Sequence, residues 1–134
     1  MKQERMSLAD FKVLTGKSTG RGTKETRSKE KETLGRWLLY SEWKWQREYR
    51  FDPDRKFRAD WCLSELRILV EYEGGVFQQG KSHSNGVDYT DDCEKYAIAN
   101  ILGYIVIRVT APMVRNGLVF TLIQRAIEAR EAVK

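Results

Sequence analysis

The stretch FRADWCLSELRILVEYEGG (57–75) decides the fold, because it contains two strand-like segments joined by a short polar turn. The segments FRADWCL (57–63) and RILVEYE (67–73) are rich in β-branched, aromatic and other apolar residues, and the polar SEL separates them. The pattern therefore predicts an antiparallel hairpin near the centre of the chain.

Three carboxylates lie in this hairpin, where a small domain should pack its core. A turn centred between Glu65 and Leu66 places Asp60 opposite Glu71, and directly paired side chains have Cβ atoms about 5 Å apart. Glu71 and Glu73 share one face of their strand because side chains alternate. Clustered carboxylates favour a bound cation, and Mg²⁺ prefers such hard oxygen ligands. The alternative is a solvent-facing polar edge of the sheet.

Hydrophobic periodicity predicts the other elements. The strand at 104–110 is almost continuously apolar, as expected of a central strand that is covered on both faces. Helices that flank a mixed sheet give a three-layer α/β domain. The predicted elements outside the hairpin are a helix at 28–45, a strand at 47–51, a helix at 88–102 stopped by Gly103, the strand at 104–110, and a helix at 117–132 that buries Leu118, Leu122, Ile123 and Ala126.

The charge of the chain is unevenly distributed. The 134 residues carry a net charge of +5, and residues 1–36 alone hold ten Lys/Arg against five Asp/Glu. We expect residues 1–27 to form a flexible basic arm and residues 28–134 to form one domain. Such an arm suits binding to a phosphate backbone, and the alternative is a solvated tail that aids solubility.

The cysteine and hydropathy patterns limit the class of protein. Cys62 and Cys93 are widely separated, and we expect both to be reduced thiols. With His83 as the only histidine and no C-x-x-C pair, a structural zinc site is not expected. No apolar run has the length of a membrane span, and no signal peptide is recognisable, which predicts a cytoplasmic protein with no membrane partner, in the host cytoplasm if the protein is phage-encoded.

Several motifs together resemble those of a known family. Asp60 followed by VEYEGG, then GKSH, DDCEKY, LGYIVIRVT and MVRNG, resembles the PD-(D/E)XK nuclease superfamily. The sequence looks like its phage and bacterial branch, which is related to Holliday junction resolvases and to very-short-patch-repair endonucleases. The resemblance covers roughly residues 28–130. It implies a restriction-endonuclease-like core of a helix, a three-strand meander, a helix, a strand and a helix.

The resemblance also implies a metal site. Asp60 and Glu71 would hold Mg²⁺, with Mn²⁺ as a substitute, and the main-chain carbonyl of Tyr72 would be a third ligand. Glu30 matches the glutamate that several resolvase-like relatives direct at the metal from their first helix. Glu32 is the fallback, because Gly35 makes the register of that helix uncertain.

One position departs from the family pattern. The family lysine, two residues after the second acid, is Glu73 here. Glu73 would then act with the metal, or a lysine from elsewhere would replace the missing one, with Lys95 preferred and Lys81 behind it. Lys95 has an alternative role in an ion pair with an acid on its own helix. His83 is a candidate general acid or base, with a phosphate contact or an ordinary loop position as alternatives.

The function implied by the resemblance is Mg²⁺-dependent hydrolysis of DNA that leaves a 5′-phosphate. A homodimeric Holliday junction resolvase that makes paired nicks is the first expectation, with the aromatic segment WLLYSEWKW (37–45) as a candidate dimer contact. A mismatch-nicking, branch-nicking or restriction-type endonuclease and a non-catalytic nucleic-acid-binding module are the alternatives. Trp43, Trp61 and Tyr49 are expected in the core or in an interface rather than as platforms for base stacking. The candidate DNA contacts are Lys17, Arg21, Lys24, Arg27, Lys29, Arg47, Arg50, Arg58 and Lys81.

Overall fold

The computed structural model of the chain describes residues 29–74 and 86–133, and for residues 86–88 it describes the backbone alone. This part of the chain is a mixed α/β fold, and its element order confirms the predicted helix, three strands, helix, strand and helix. A short helix that the sequence did not predict precedes the last one. The elements are α1 Lys29–Tyr40, β1 Gln46–Arg50, β2 Arg58–Leu63, β3 Ile68–Gly74, α2 Gly86–Ile101, β4 Ile105–Thr110, α3 Ala111–Arg115 and α4 Leu118–Ala132.

The hairpin of β2 and β3 has the predicted register. Trp61 pairs with Val70, and two backbone hydrogen bonds of 3.2 and 3.3 Å close the turn between the strands. One residue further along each strand, Asp60 therefore comes opposite Glu71. The position and length of the turn fixed this register, because they set which residues of the two strands lie opposite each other.

The four strands form one sheet in the order β1-β2-β3-β4, with β3 and β4 parallel and the other pairs antiparallel. The prediction that the strand near 104–110 is central is wrong for the described residues, since β4 lies at the end of this sheet. Helices nevertheless pack on both of its faces, with α2 on one and α4 on the other. A continuous apolar run thus indicates that both faces of a strand are covered. It does not indicate that the strand lies between two other strands.

Two hydrophobic clusters separate the helices into two layers. On one face of the sheet, α1, α3 and α4 share the larger cluster, in which the rings of Trp37 and Phe120 lie 4.7 Å apart. On the other face, Ala99 of α2 packs near Cys62 and Leu69 of the sheet. The predicted three-layer arrangement is confirmed for these residues, and it places α1 and α2 on opposite sides of the β2–β3 hairpin.

Two details of the predicted helices are wrong. Helix α1 ends at Tyr40, where the hydroxyl of Ser41 donates a 2.8 Å hydrogen bond to the carbonyl of Leu38, so Trp45 lies on the segment before β1. The hydroxyl competes for a carbonyl that a longer helix would use. In α4, Leu118 is 44% exposed, because the buried side of this helix begins with Val119.

Both cysteines are free thiols, as predicted. Cys62 is buried between β2 and α2, and burial raises the pKa of its thiol to about 12, whereas Cys93 is exposed. None of the helices within the described ranges combines the length and the apolar character that a membrane crossing needs.

Candidate active site

Asp60 and Glu71 hold the two strands together at the point where direct ladder pairing stops. The backbone N–H of Asp60 donates to Oε1 of Glu71 over 3.1 Å, and the backbone N–H of Tyr72 donates to Oδ2 of Asp60 over 2.8 Å. Each carboxylate thus accepts from the main chain of the opposite strand. These charge-assisted bonds satisfy two backbone donors and fix the two carboxylates side by side.

Glu71 is buried and Asp60 is half-buried, which excludes the solvent-facing alternative for Glu71. Glu71 is 6% exposed, and the side chain of Asp60 is 19% exposed. Burial raises the pKa of Glu71, the contact with Lys95 lowers it, and the charge of Asp60 raises it again. The balance of these effects leaves Glu71 easier to protonate than an ordinary glutamate, as expected of a carboxylate taken out of water beside another one.

Every member of the predicted acidic trio has a basic partner from a different element. Buried carboxylates are costly unless they are paired, so these contacts keep the charged forms in place. Helices α1 and α2 and strand β4 each supply one of the three cations. The pairs are Asp60 with Lys31 at 3.4 Å, Glu71 with Lys95 in a direct ion pair, and Glu73 with Arg108 at 3.1 Å.

Lys95 therefore reaches the site as the sequence suggested. Its helix, α2, connects the parallel strands β3 and β4, and this crossover brings the helix across the face of the sheet that carries Glu71. The side chain of Lys95 is 16% exposed, so its charge acts in a largely desolvated environment. Its contact with Glu71 places an ammonium group beside the acid that the family motif identifies.

Tyr96 links two of the acids, and sequence reasoning missed it. Its hydroxyl lies 3.1 Å from Oε2 of Glu71 and 3.0 Å from Oε2 of Glu73. A tyrosine hydroxyl has one hydrogen, so it donates to one of these oxygens at a time. Burial raises the pKa of Tyr96, as do the two acids, so the phenol keeps its proton at neutral pH. The available signal was its place directly after Lys95 in the motif DDCEKY.

Removing this hydroxyl should destabilise the site measurably. We expect Tyr96→Phe to lower the free energy of unfolding by about 1–3 kcal/mol, because it removes a hydrogen bond to a charged carboxylate and leaves Lys95 and Arg108 as the remaining side-chain donors to these oxygens. Urea denaturation in EDTA at neutral pH measures the difference. Tyr89→Phe is the matched control, since Tyr89 lies on the same helix with 65% of its surface exposed. Equal losses in the two variants would contradict the role of the Tyr96 hydroxyl.

A β-bulge turns Glu73 toward Arg108. Glu71 pairs with Arg108 in the parallel register, but the register shifts between Tyr72 and Gly74, so Glu73 is the extra residue on its strand. Gly74 has φ of +54°, and a Cβ there would lie 2.7 Å from the ring of Tyr72. The site therefore requires glycine at this position. Arg108 is the single basic residue in β4. This isolated charge could have identified it from the sequence as the partner of Glu73.

The first helix contributes differently from the prediction. Glu30 is part-buried and Glu32 is exposed, so Glu30 is the more inward of the two, and its role at a metal stays a prediction. However, the carboxylate of Glu30 lies 3.5 Å from Arg115, and the α1 side chain that contacts Asp60 is Lys31. Sequence periodicity could not distinguish these neighbours, because the side chain of Lys31 is long enough to reach the sheet from the flank of the helix.

The donor set fits a magnesium ion, although it lacks a third clustered ligand. Within residues 29–74 and 86–133 the structure contains no group of three or more His, Cys, Asp or Glu side chains that could hold a metal ion. Mg²⁺ usually needs one or two protein carboxylates and takes its other ligands from water and substrate phosphate. The buried pair of Asp60 and Glu71 meets that requirement with hard oxygen donors.

The remaining predicted site residues fall into two groups. Several lie outside the described residues, so their expected roles stay predictions: Lys17, Arg21, Lys24, Arg27, Lys81 and His83. The others, Lys29, Arg47, Arg50 and Arg58, are exposed. Exposure leaves these four basic side chains available to phosphate, and their contact with DNA also stays a prediction.

The site thus combines a buried carboxylate pair on two strands, three basic side chains and a shared tyrosine hydroxyl. In comparisons with protein-family models, with curated proteins and with solved structures, nothing matched this chain. The resemblance to PD-(D/E)XK nucleases accordingly stays a prediction from the sequence motifs.

Proposed function

We propose that this protein is a Mg²⁺-dependent, structure-selective DNA endonuclease of the PD-(D/E)XK type, and that it acts as a Holliday junction resolvase. The observation that carries the proposal is the locked pair of Asp60 and Glu71 with Lys95 in contact with Glu71. These are the two acids that the motif identifies, together with the lysine that we inferred as the replacement for the missing one.

The element order and sheet support the proposal at the level of the fold. A helix precedes an antiparallel meander of three strands, and a crossover helix leads to a parallel fourth strand. This arrangement is compatible with a restriction-endonuclease-like core. It places the two acids on adjacent strands and the lysine on the crossover helix, which is why residues 35 positions apart, Asp60 and Lys95, belong to one site.

The reaction would be hydrolysis of a phosphodiester bond. A water oxygen bonds to phosphorus as the bond between phosphorus and the 3′ oxygen breaks, which leaves a 5′-phosphate and a 3′-hydroxyl. Water supplies both the oxygen on phosphorus and the proton that the 3′ oxygen finally carries. A bound Mg²⁺ supplies Lewis-acid chemistry, which lowers the pKa of water and offsets negative charge on the phosphate.

The protein's own groups have distinct roles in this scheme. Asp60 and Glu71 would hold the metal, because backbone donors fix both carboxylates in place, and Lys31 and Lys95 would have to give up part of their contact with the remaining oxygens. Lys95 would supply positive charge beside the reacting phosphate, and its contact with Glu71 orients its ammonium group. Tyr96 and Arg108 hold Glu73 away from solvent. The role of Glu73 in this scheme is therefore to position these two side chains and not to contact the phosphate.

The proposed substrate is a four-way junction bound by a homodimer. Two copies would place two sites across the branch, which accounts for paired cuts by a small domain. The excess of Lys and Arg in residues 1–36 supports binding to DNA backbones, because neutralised phosphates release counterions. Exposed Arg50 and Arg58 face each other across the β1–β2 ladder and add basic groups on the sheet edge.

A junction-cleavage assay tests the proposal. Labelled four-way junction and linear duplex of the same sequence are incubated with the protein in Mg²⁺ or in EDTA. We expect paired nicks with 5′-phosphate ends in the junction, in Mg²⁺ alone, and little cleavage of the duplex. Equal cleavage of both substrates would favour a restriction-type or mismatch-nicking enzyme. Absence of cleavage in both Mg²⁺ and Mn²⁺ would overturn the proposed activity.

The ion pairs favour one second candidate, a nucleic-acid-binding module without catalysis. Each acid already has a basic partner, and an acid, Glu73, occupies the family's lysine position. An ion-pair network of this kind can hold a fold together without any metal. Junction binding that is equal in Mg²⁺ and EDTA and unchanged by Asp60→Asn, with no cleavage, is the result expected of this alternative.

A further inference from the structure

A groove near Asp60 and Glu71 has no role in the proposed hydrolysis. It lies between α1 and the segment that leads into β1, and it encloses about 820 Å³. Three tryptophans, Trp43, Trp45 and Trp61, contribute to its lining. Its volume falls in the range of small-molecule sites, which are concave, largely apolar and provided with a few polar groups.

The groove is continuous with the candidate active site. Lys31 lines the groove, and its ammonium group lies 3.4 Å from the carboxylate of Asp60. Trp61 directly follows Asp60 in β2, so the wall of the groove and the acid belong to one strand. Asp60 and Trp61 point to opposite faces of β2, so Lys31 is the side chain that connects a molecule in the groove with the carboxylate pair.

The charge of the lining favours an anionic occupant. The charged residues that line the groove are Lys31, Arg36, Lys44 and Arg47 on the basic side and Glu32 and Glu42 on the acidic side. Glu32 pairs with Arg36 and Lys31 pairs with Asp60, so Lys44 and Arg47 against Glu42 leave a surplus of one positive charge. The surplus of basic groups surrounds an aromatic interior, a combination that binds a base and its phosphate together.

Trp45 provides a second, independent indication of a ligand. Its indole Nε1 is buried and has no hydrogen-bond partner in the described part of the chain. A buried donor without an acceptor costs free energy, and such groups are rare in folded proteins. Because Trp45 lines the groove, a rotation of its indole ring that exposes Nε1 would let an occupant with an acceptor oxygen or ring nitrogen satisfy this donor.

We infer that the groove binds one unpaired nucleotide, with the base against the tryptophans and the phosphate held by Arg47 and Lys44. This inference rests on the proposed function for its biological substrate, although the binding itself needs no cleavage. Nucleobases offer a flat aromatic face together with acceptor atoms, which matches the lining of the groove and the free indole N–H. The proposed enzyme would then prefer branches or mismatches that expose a nucleotide next to the cut.

The experiment measures binding in EDTA, in an Asp60→Asn background that keeps the DNA intact. Fluorescence anisotropy compares a labelled short oligothymidylate with a duplex of equal length. We expect tighter binding of the single strand, and Trp45→Ala should weaken it about tenfold or more, as the loss of base stacking does elsewhere. Trp45→Phe keeps an aromatic ring without the N–H and should give a smaller loss.

Two controls separate the groove from general effects. Tyr89→Ala removes an aromatic residue that is 65% exposed on α2, outside the groove, and should leave binding unchanged. Arg47→Gln should weaken binding and lower the salt dependence by about one phosphate contact. Arg125→Gln, at an exposed position of α4, should do less. Should Trp45→Ala fail to fold by circular dichroism, Trp45→Phe and Arg47→Gln decide the question.

Three results would overturn the inference. Unchanged affinity in both the Trp45 and the Arg47 variants would remove the groove from binding. Equal losses for single strand and duplex would exclude a site for an unpaired nucleotide. Loss of binding that accompanies a change in molar mass would assign the groove to a contact between copies of the chain. If the protein cleaves junctions but the Trp45 and Arg47 variants bind the single strand like the parental protein, the proposed function stands and the inference fails. If these variants lose binding but the protein cleaves no junction, the inference stands and the proposed function fails.

Discussion

Asp60→Asn should reduce Mg²⁺-dependent cleavage of a four-way junction by more than about 100-fold, since losing even an outer partner of a metal ligand costs 10–100-fold. The substitution removes one negative charge and keeps the shape of the side chain. An asparagine oxygen can still accept the hydrogen bond from the backbone of Tyr72, which spans 2.8 Å. We therefore expect the fold to survive and the loss to lie in the reaction itself.

The matched control is Asp54→Asn, an acid-to-amide change at an exposed position between β1 and β2. It should cleave like the parental protein. Junction binding in EDTA, measured for all three proteins, separates binding from chemistry. Retention of more than about a tenth of the parental rate by Asp60→Asn would exclude this carboxylate as a metal ligand.

Lys95→Met should produce the largest loss of stability among the changes at the site, and the loss should depend on pH. Removing one partner of a buried ion pair costs about 3–5 kcal/mol when the other charge remains. The side chains of Lys95 and Glu71 are 16% and 8% exposed, so solvent screens their interaction little. We expect a loss near the lower end of that range at mildly alkaline pH, in EDTA.

The sign of the pH dependence follows from Glu71. Its pKa is raised in the folded protein, so the folded state is favoured at low pH and loses that advantage as pH rises through the folded pKa. Lys95 lowers this pKa, and its removal raises the pKa further. The variant should therefore lose more stability at alkaline pH than near the ordinary pKa of a glutamate, where Glu71 is protonated in both proteins.

Urea denaturation at several pH values measures this effect. Lys56→Met, at an exposed position before β2, is the control and should change stability little at any pH. The double variant Lys95→Met/Glu71→Gln should recover most of the loss, because no buried charge is left without a partner. A loss that is the same at all pH values, or no recovery in the double variant, would show that Lys95 acts mainly by packing.

Local sequence patterns were sufficient for the hairpin and for the placement of the acids. The turn centred between Glu65 and Leu66 set the register, and the register alone brought Asp60 opposite Glu71. Local sequence patterns were less successful where the end of a helix or the place of a strand in the sheet depends on contacts with other parts of the chain. The end of α1 depends on one hydroxyl, that of Ser41, and the edge position of β4 depends on which strand pairs with it.

The sequence alone therefore determined the α/β class, the order of the elements and the pairing of Asp60 with Glu71, because these depend on spacing along one strand or one helix. Only the tertiary structure decided which basic and phenolic groups reach the acids. Lys31, Tyr96 and Arg108 come from α1, α2 and β4, and each meets its acid across a distance in sequence of 23–35 residues. Such contacts depend on how helices pack on the sheet, and no local period encodes that packing.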